Sequence, residues 1–180
     1  MPSVSRLQLN TDSGSPALYA EHRGPGPAGF FKGNVIVTGD VTLTGADCAE
    51  QFEMGSAAAV DPGTVMVIDD DGALRTSARA YDNRVAGVIA GAGNLKPGII
   101  LGNQPSRRPM QPVALVGRVY CKADAEYGAI SVGDLLTTSP TTGHALRAGD
   151  REKAFGSVLG KALRGLPAGK GLIPVLIALQ

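Results

Sequence analysis

From residue 34 onward the apolar runs, rich in Val and Ile, are interrupted by Gly, Pro, Asp or Asn roughly every 6–12 residues. A long helix does not survive such punctuation, because an interior Gly costs about 1 kcal/mol and an interior Pro about 3 kcal/mol relative to Ala. Short strands bounded by tight turns fit it well, so the chain is expected to be all-β. One short stretch, Gly149 to Phe155, has the acidic and basic residues of one or two helical turns. Residues 1–33 read as irregular, with turn chemistry at Thr11 to Pro16 and Arg23 to Gly29. Within them Ala17 to Ala20 and Phe30-Phe31 are candidate short strands.

A tandem hexapeptide follows. Val35-Ile36-Val37-Thr38-Gly39-Asp40 is succeeded by Val41-Thr42-Leu43-Thr44-Gly45-Ala46. Each unit places two apolar side chains on one face and then turns at Gly. One such unit cannot bury that face, and stacked repeats need about three or more of them. Two units in one chain therefore call for further copies of the chain, as in a triangular β-prism or triple-stranded β-helix wound about a threefold axis. The seam would be Val35, Val37, Val41 and Leu43, with Gly39 and Gly45 at its corners. The competing reading is an ordinary β-hairpin with a Gly-Asp turn.

A longer duplication occupies the rest. Pro62 to Val67 corresponds to Val132 to Leu136, and Asp71-Gly72 to Thr142-Gly143. Ala73-Leu74-Arg75 then corresponds to Ala145-Leu146-Arg147, and Val85 to Ile89 to Val158 to Ala162. Pro112 to Val116 corresponds to Pro174 to Ala178. Two similar β-units packed into one barrel-like head are expected, unless Val/Gly-rich strands align by chance. The organisation is thus an oligomeric β stalk over residues 1–46, a junction over 47–61 and a β head over 62–180, its units being 62–119 and 132–179. The last apolar residues, Leu172 to Leu179, read as a core strand.

Several function classes are disfavoured. Seventeen basic against sixteen acidic residues, net +1, do not make a polyanion binder, so no nucleic-acid partner is expected. Aromatics are 4% of the chain with no Trp, leaving little for stacking on sugars or bases. No apolar run is long enough for a membrane span, and Met1 to Arg6 lacks the pattern of a secretory signal. Cys48 and Cys121 have no neighbouring Cys or His at metal spacing, so neither a metal nor any other cofactor is expected, and both read as partly buried free thiols.

Short motifs are weak. Gly24 to Gly29 matches G-x-G-x-x-G, but no strand leads into it and two prolines remove the needed N–H donors. Gly165 to Gly171 is one residue short of a P-loop and has Gly171 where Ser or Thr belongs. Asp69-Asp70-Asp71-Gly72 lacks the ligand spacing of a calcium loop and reads as a hairpin turn. Ser139 and His144 share a turn without a nucleophile elbow, His22 stands alone, and Arg107-Arg108 reads as a solvated loop with a weak option of an anionic partner.

The segment Gly45-Ala46-Asp47-Cys48-Ala49-Glu50-Gln51-Phe52-Glu53 resembles the G-A-D-Φ-A-E-x-F-E element (Φ usually aromatic) of one family. It opens the C-terminal intramolecular-chaperone, auto-processing domains of phage tail spikes and neck appendages. The likeness extends through Gly63 to Val67 and Arg84 to Gly91, and Gly14 to Gly45 resembles Gly-rich repeats of fibre-like phage and bacterial surface proteins. The resemblance implies trimeric fibres whose head helps the stalk assemble and, in some members, is released by self-cleavage near the junction. Cys48 departs from it, standing where many relatives carry Tyr or Phe.

Two functions follow as expectations. The first is a structural homotrimeric tip or connector of a fibre- or tail-spike-like assembly, extracellular or virion-borne, whose partners are itself and other fibre or tail components. The second is a single-turnover self-cleaving chaperone. There Cys48 attacks the Asp47 carbonyl and Glu50 assists proton transfer, although no His is near to activate the thiol. Otherwise Cys48 is a small hydrophobe in a junction strand and no residue is catalytic. A receptor- or glycan-binding tip using Asn94 to Gln111 is weaker.

Overall fold

The computed structural model describes residue 7 and residues 9–179, which fall into two bodies, one ending at Val41 and the other beginning at Thr42. The second body is all-β apart from one helical turn. Its strands are β1 (Asp47–Glu53), β2 (Val65–Ile68), β3 (Leu74–Thr76), β4 (Val85–Ile89), β5 (Ile99–Leu101), β6 (Met110–Asp124), β7 (Leu135–Thr138), β8 (Ala145–Arg147), β9 (Val158–Ala162) and β10 (Lys170–Ala178). The helical turn α1 (Arg151–Ala154) is capped by Asp150, whose carboxylate accepts from the N–H groups of Glu152 and Lys153.

β6 is the spine, and its two halves serve different neighbours. Its C-terminal half pairs with β10, which continues through β9, β7 and β8, and Ala123 of β6 pairs with Ala145 of β8. That pairing closes a five-stranded barrel. Period-2 alternation fills it: Ile173, Val175 and Ile177 of β10 point inward while Leu172, Leu176 and Ala178 are exposed. They meet Val119, Cys121, Leu136 and Leu159 in one buried cluster. Each large aliphatic chain so buried contributes about 1.5–3 kcal/mol. The terminal strand is thus a barrel stave.

The N-terminal half of β6 pairs with β1 and β4, and β4 leads through β2 to β3. A parallel bridge from Met54 to Leu74 ties the end of β1 to β3. A second core of Met54, Met66, Leu74, Ile89 and Val113 lies here.

The two strand sets repeat each other in register. Val65, Met66 and Val67 pair with Val88, Gly87 and Val85; Leu135, Leu136 and Thr137 pair with Lys161, Gly160 and Val158. Both ladders slip at the same step, Met66/Val67 and Leu136/Thr137. Gly87 and Gly160 sit where a Cβ would overlap a carbonyl oxygen of the next strand, that of Ala114 and of Leu176 respectively. The internal duplication is therefore real at the level of strand pairing. One correspondence is corrected: the ladders match Leu74, not Ala73, with Ala145, because the β7–β8 turn is one residue longer than the β2–β3 turn.

In the first body the described residues form no strand and are exposed throughout. Ala17 to Ala20 and Phe30-Phe31, expected as short strands, have no ladder, since no other described segment pairs with them. The segment Asn94 to Gln111, named above only for a binding tip, contains a strand, β5, running parallel to β1.

Candidate functional site

Three backbone segments converge where the second body begins. Ala46 N–H donates to the Lys96 carbonyl (2.8 Å), Gly98 N–H donates to the Asp47 carbonyl (2.8 Å), and Arg118 N–H donates to the Ala46 carbonyl (3.0 Å). Asp47 and Cys48 face Gly117 and Val116 across β6, and Cys48 faces Ile99 across β5. The approach is close enough to demand glycine. A Cβ on Gly45 would overlap the Cα and N of Gly98, and one on Gly117 (φ +105°) would lie 2.7 Å from the Ala46 carbonyl oxygen. The segment expected as a junction thus carries β1, paired on both sides.

Around this crossing lies a mainly apolar hollow of about 290 Å³, lined in part by Leu43, Asp47, Cys48, Ile99, Val116 and Gly117. Asp47 is 7% exposed, and neither carboxyl oxygen has a hydrogen-bond partner among the described residues. Burial pushes its pKa above the usual 3.8, favouring the neutral acid. Cys48 is a free, half-buried thiol, whereas Cys121 is a free thiol inside the barrel, its pKa pushed up to about 12 by burial and drawn slightly back by Lys122. The Asp47 carbonyl, next to the Cys48 thiol, is polarised by the Gly98 N–H, as one donor of an oxyanion hole would do.

The structure gathers Leu43, Gly45, Asp47 and Cys48 at one hollow. Glu50 lies two residues along β1, opposite Leu101, and does not line it. Val35, Val37, Gly39 and Val41 belong to the first body, with every one of these apolar side chains exposed. Gly98, Val116 and Gly117 complete the hollow from far along the chain, and no local spacing marks them.

The remaining motifs have structural partners. Asp69, Asp70 and Asp71 approach Arg75, Arg84 and Arg108 at 3.9, 2.7 and 2.7 Å. The Arg108 hydrogen bond holds the Asp71 carboxyl below its usual range, so Arg108, expected as solvated, is engaged within the chain. Buried Ser139 accepts from the Thr141 N–H, and His144 Nδ1 contacts the Thr142 carbonyl (2.8 Å), so the two turn to different partners. A second, more polar cleft of about 300 Å³ went unmarked by any motif. There Lys122 Nζ donates to Thr64 Oγ1 (2.9 Å) and pairs with Asp61 at 3.4 Å.

No protein-family model matches the chain, and no curated protein matches it. Solved structures do, two of them as follows. The C-terminal fragment of gene product 12 of bacteriophage phi29 superposes with a TM-score of 0.52 at 16% identity, covering 73% of this chain and 100% of the fragment. The pre-mature form of that gene product superposes with a TM-score of 0.60 at 17% identity, over 81% of this chain and 23% of the longer protein. The fold therefore resembles that of a phage gene product 12 C-terminal region, which agrees with the resemblance read from Gly45 to Glu53 at the level of architecture. No helix among the described residues is long and apolar enough to cross a membrane.

Proposed function

We propose that the chain is a structural, homotrimeric tip or connector of a phage tail-appendage-like fibre, virion-borne, whose head promotes trimerisation and sets the register of the stalk. One observation carries this reading. The segment from Phe30 to Leu43 exposes seven large apolar side chains, Ile36 at 88%, and has no ladder partner among the described residues. An apolar patch of this extent on a lone molecule marks an interaction surface. Sister chains, packing Val35, Val37, Val41 and Leu43 about a common axis, supply the missing cover. Winding three such segments is entropically costly, and heads that associate first raise their effective concentration. The phi29 fold likeness supports the choice of assembly. Light scattering on the purified chain tests it: a mass near three times 18.4 kDa is expected, and a monomer at all concentrations overturns it.

A second reading is favoured by the buried Asp47 carboxyl beside a polarised carbonyl and a thiol. In it the Cys48 thiol passes its proton toward Glu50 and Sγ adds to the Asp47 carbonyl carbon. The Asp47–Cys48 C–N bond breaks as the nitrogen is protonated, leaving a thioester that water hydrolyses. Intact mass decides: fragments 1–47 and 48–180 that disappear in Cys48→Ala support self-cleavage, and full-length chain alone rejects it.

A further inference from the structure

The outward side of the sheet at the hollow is apolar where a solvated face would be polar. Register sets Ile99, Cys48, Val116 and Ala178 side by side across β5, β1, β6 and β10. Leu176 extends the patch along β10, and Val116 is 55% exposed. β5 is itself an uncovered edge. Among the described residues it pairs with β1 alone, leaves its other rim of backbone groups open, and exposes Ile99, Ile100 and Leu101 on both of its faces.

Charge divides the same surface. Half-buried Glu50 stands opposite Leu101 at the β5 side. Exposed Arg118 and Lys161 flank Leu176 at the β10 side. None of the three takes part in an ion pair among the described residues. A threefold assembly requires two different, complementary patches on each copy, whereas a twofold requires one self-complementary patch. An acidic apolar edge and a basic apolar face on one sheet meet the threefold requirement.

We infer that in the oligomer the β5 edge of one copy, with Ile100 and Glu50, packs on the Val116–Leu176 face of the next copy, where Arg118 and Lys161 receive the acid. The occupant is a second copy of this chain because the acidic edge and the basic face of the same body are complementary, and because Leu43, the one residue of the proposed seam within that body, lines the same hollow as Ile99 and Val116. The inference rests on the trimeric reading above and adds the head surface through which trimers form.

The test is light scattering of the full chain through a dilution series. Ile100→Lys and Val116→Lys, both at exposed positions, are each expected to raise the concentration at which the trimer dissociates by about tenfold or more. Glu50→Lys and Arg118→Glu each weaken it as well, and the double exchange restores it, because the two charges meet between copies. Hydrogen exchange on the unmodified protein gives a readout free of variants: the Ile99–Leu101 amides are slow in the trimer and fast after dilution. If the folded Lys variants keep the parent dissociation concentration, or the β5 amides exchange freely in the trimer, the head interface is wrong while the trimeric reading stands. A parent chain that is monomeric removes both.

Discussion

Replacing Gly160 with Ala tests the barrel where its strands come closest. The added methyl would overlap the Leu176 carbonyl oxygen and lie 3.0 Å from the Ile177 Cα, all backbone atoms of a paired strand. A flexible side chain could swing aside; a hydrogen-bonded strand in a closed barrel cannot. Overpacking costs about 1–3 kcal/mol and the strained backbone of Gly160 (φ +159°) about 1–3 kcal/mol more once a side chain is present. Loss of glycine freedom in the unfolded chain offsets about 0.4–1 kcal/mol. The net is a destabilisation of about 3 kcal/mol, seen in urea unfolding at fixed protein concentration, or about 6–12 °C in Tm. Gly87→Ala, its counterpart against the Ala114 carbonyl, should behave alike, whereas Gly72→Ala, with open space around it at φ +84°, should lose only about 1–2 kcal/mol. Gly160→Ala as stable as the parent would refute the close approach of β9 to β10 and the equivalence of the two strand sets.

Three further outcomes are expected. Asp47 holds its proton more tightly folded than unfolded, so its contribution to stability is greatest below pH 3.8 and is lost as pH rises through the raised folded value; Asp47→Asn should therefore gain stability relative to the parent between about pH 3.5 and about pH 7, and a difference that stays flat across that range would sink the idea. Iodoacetamide at mildly alkaline pH should label half-buried Cys48 in the native protein and add Cys121 only after unfolding, because the Cys121 thiol is sealed in the barrel with its pKa near 12; two native labels by mass spectrometry would contradict the closed barrel. Asp150→Ala removes the cap of α1 and its ion pair with Lys153 at 3.0 Å; a loss of about 1 kcal/mol is expected in urea unfolding, and no loss would show the cap to be idle.

Strand content and the repeated head were legible because they depend on local signals. Val85 to Ile89 and Val158 to Ala162 each carry a central Gly in a short, mostly apolar run, and both became strands with that Gly against the neighbouring backbone. The helical turn Arg151–Ala154, expected within Gly149 to Phe155, was legible in the same local way. Elements that depend on a distant partner were not legible. β5 is three apolar residues in a Gly/Pro-rich loop, and only the far-off presence of β1 makes it a strand. Ala17 to Ala20 is likewise mostly apolar, and no described segment pairs with it.

The candidate site divides along the same line. Asp47 and Cys48 could be picked from the chain because their chemistry is written in their side chains. Gly98 and Gly117 could not, since what they contribute is the absence of a side chain at a backbone crossing. The Gly98 N–H reaches the Asp47 carbonyl only because Gly45 lets the two segments touch, and the Arg118 N–H reaches the Ala46 carbonyl only because Gly117 does the same on the other flank. A methyl at either glycine would push β5 or β6 away from the Ala46–Asp47–Cys48 backbone. That would free the Asp47 carbonyl, open its buried carboxyl to water and tilt the β5 edge. Gly45→Ala and Gly117→Ala therefore bear on every reading advanced here. Each should lower trimer stability and stop any cleavage together, although neither residue brings a reactive atom.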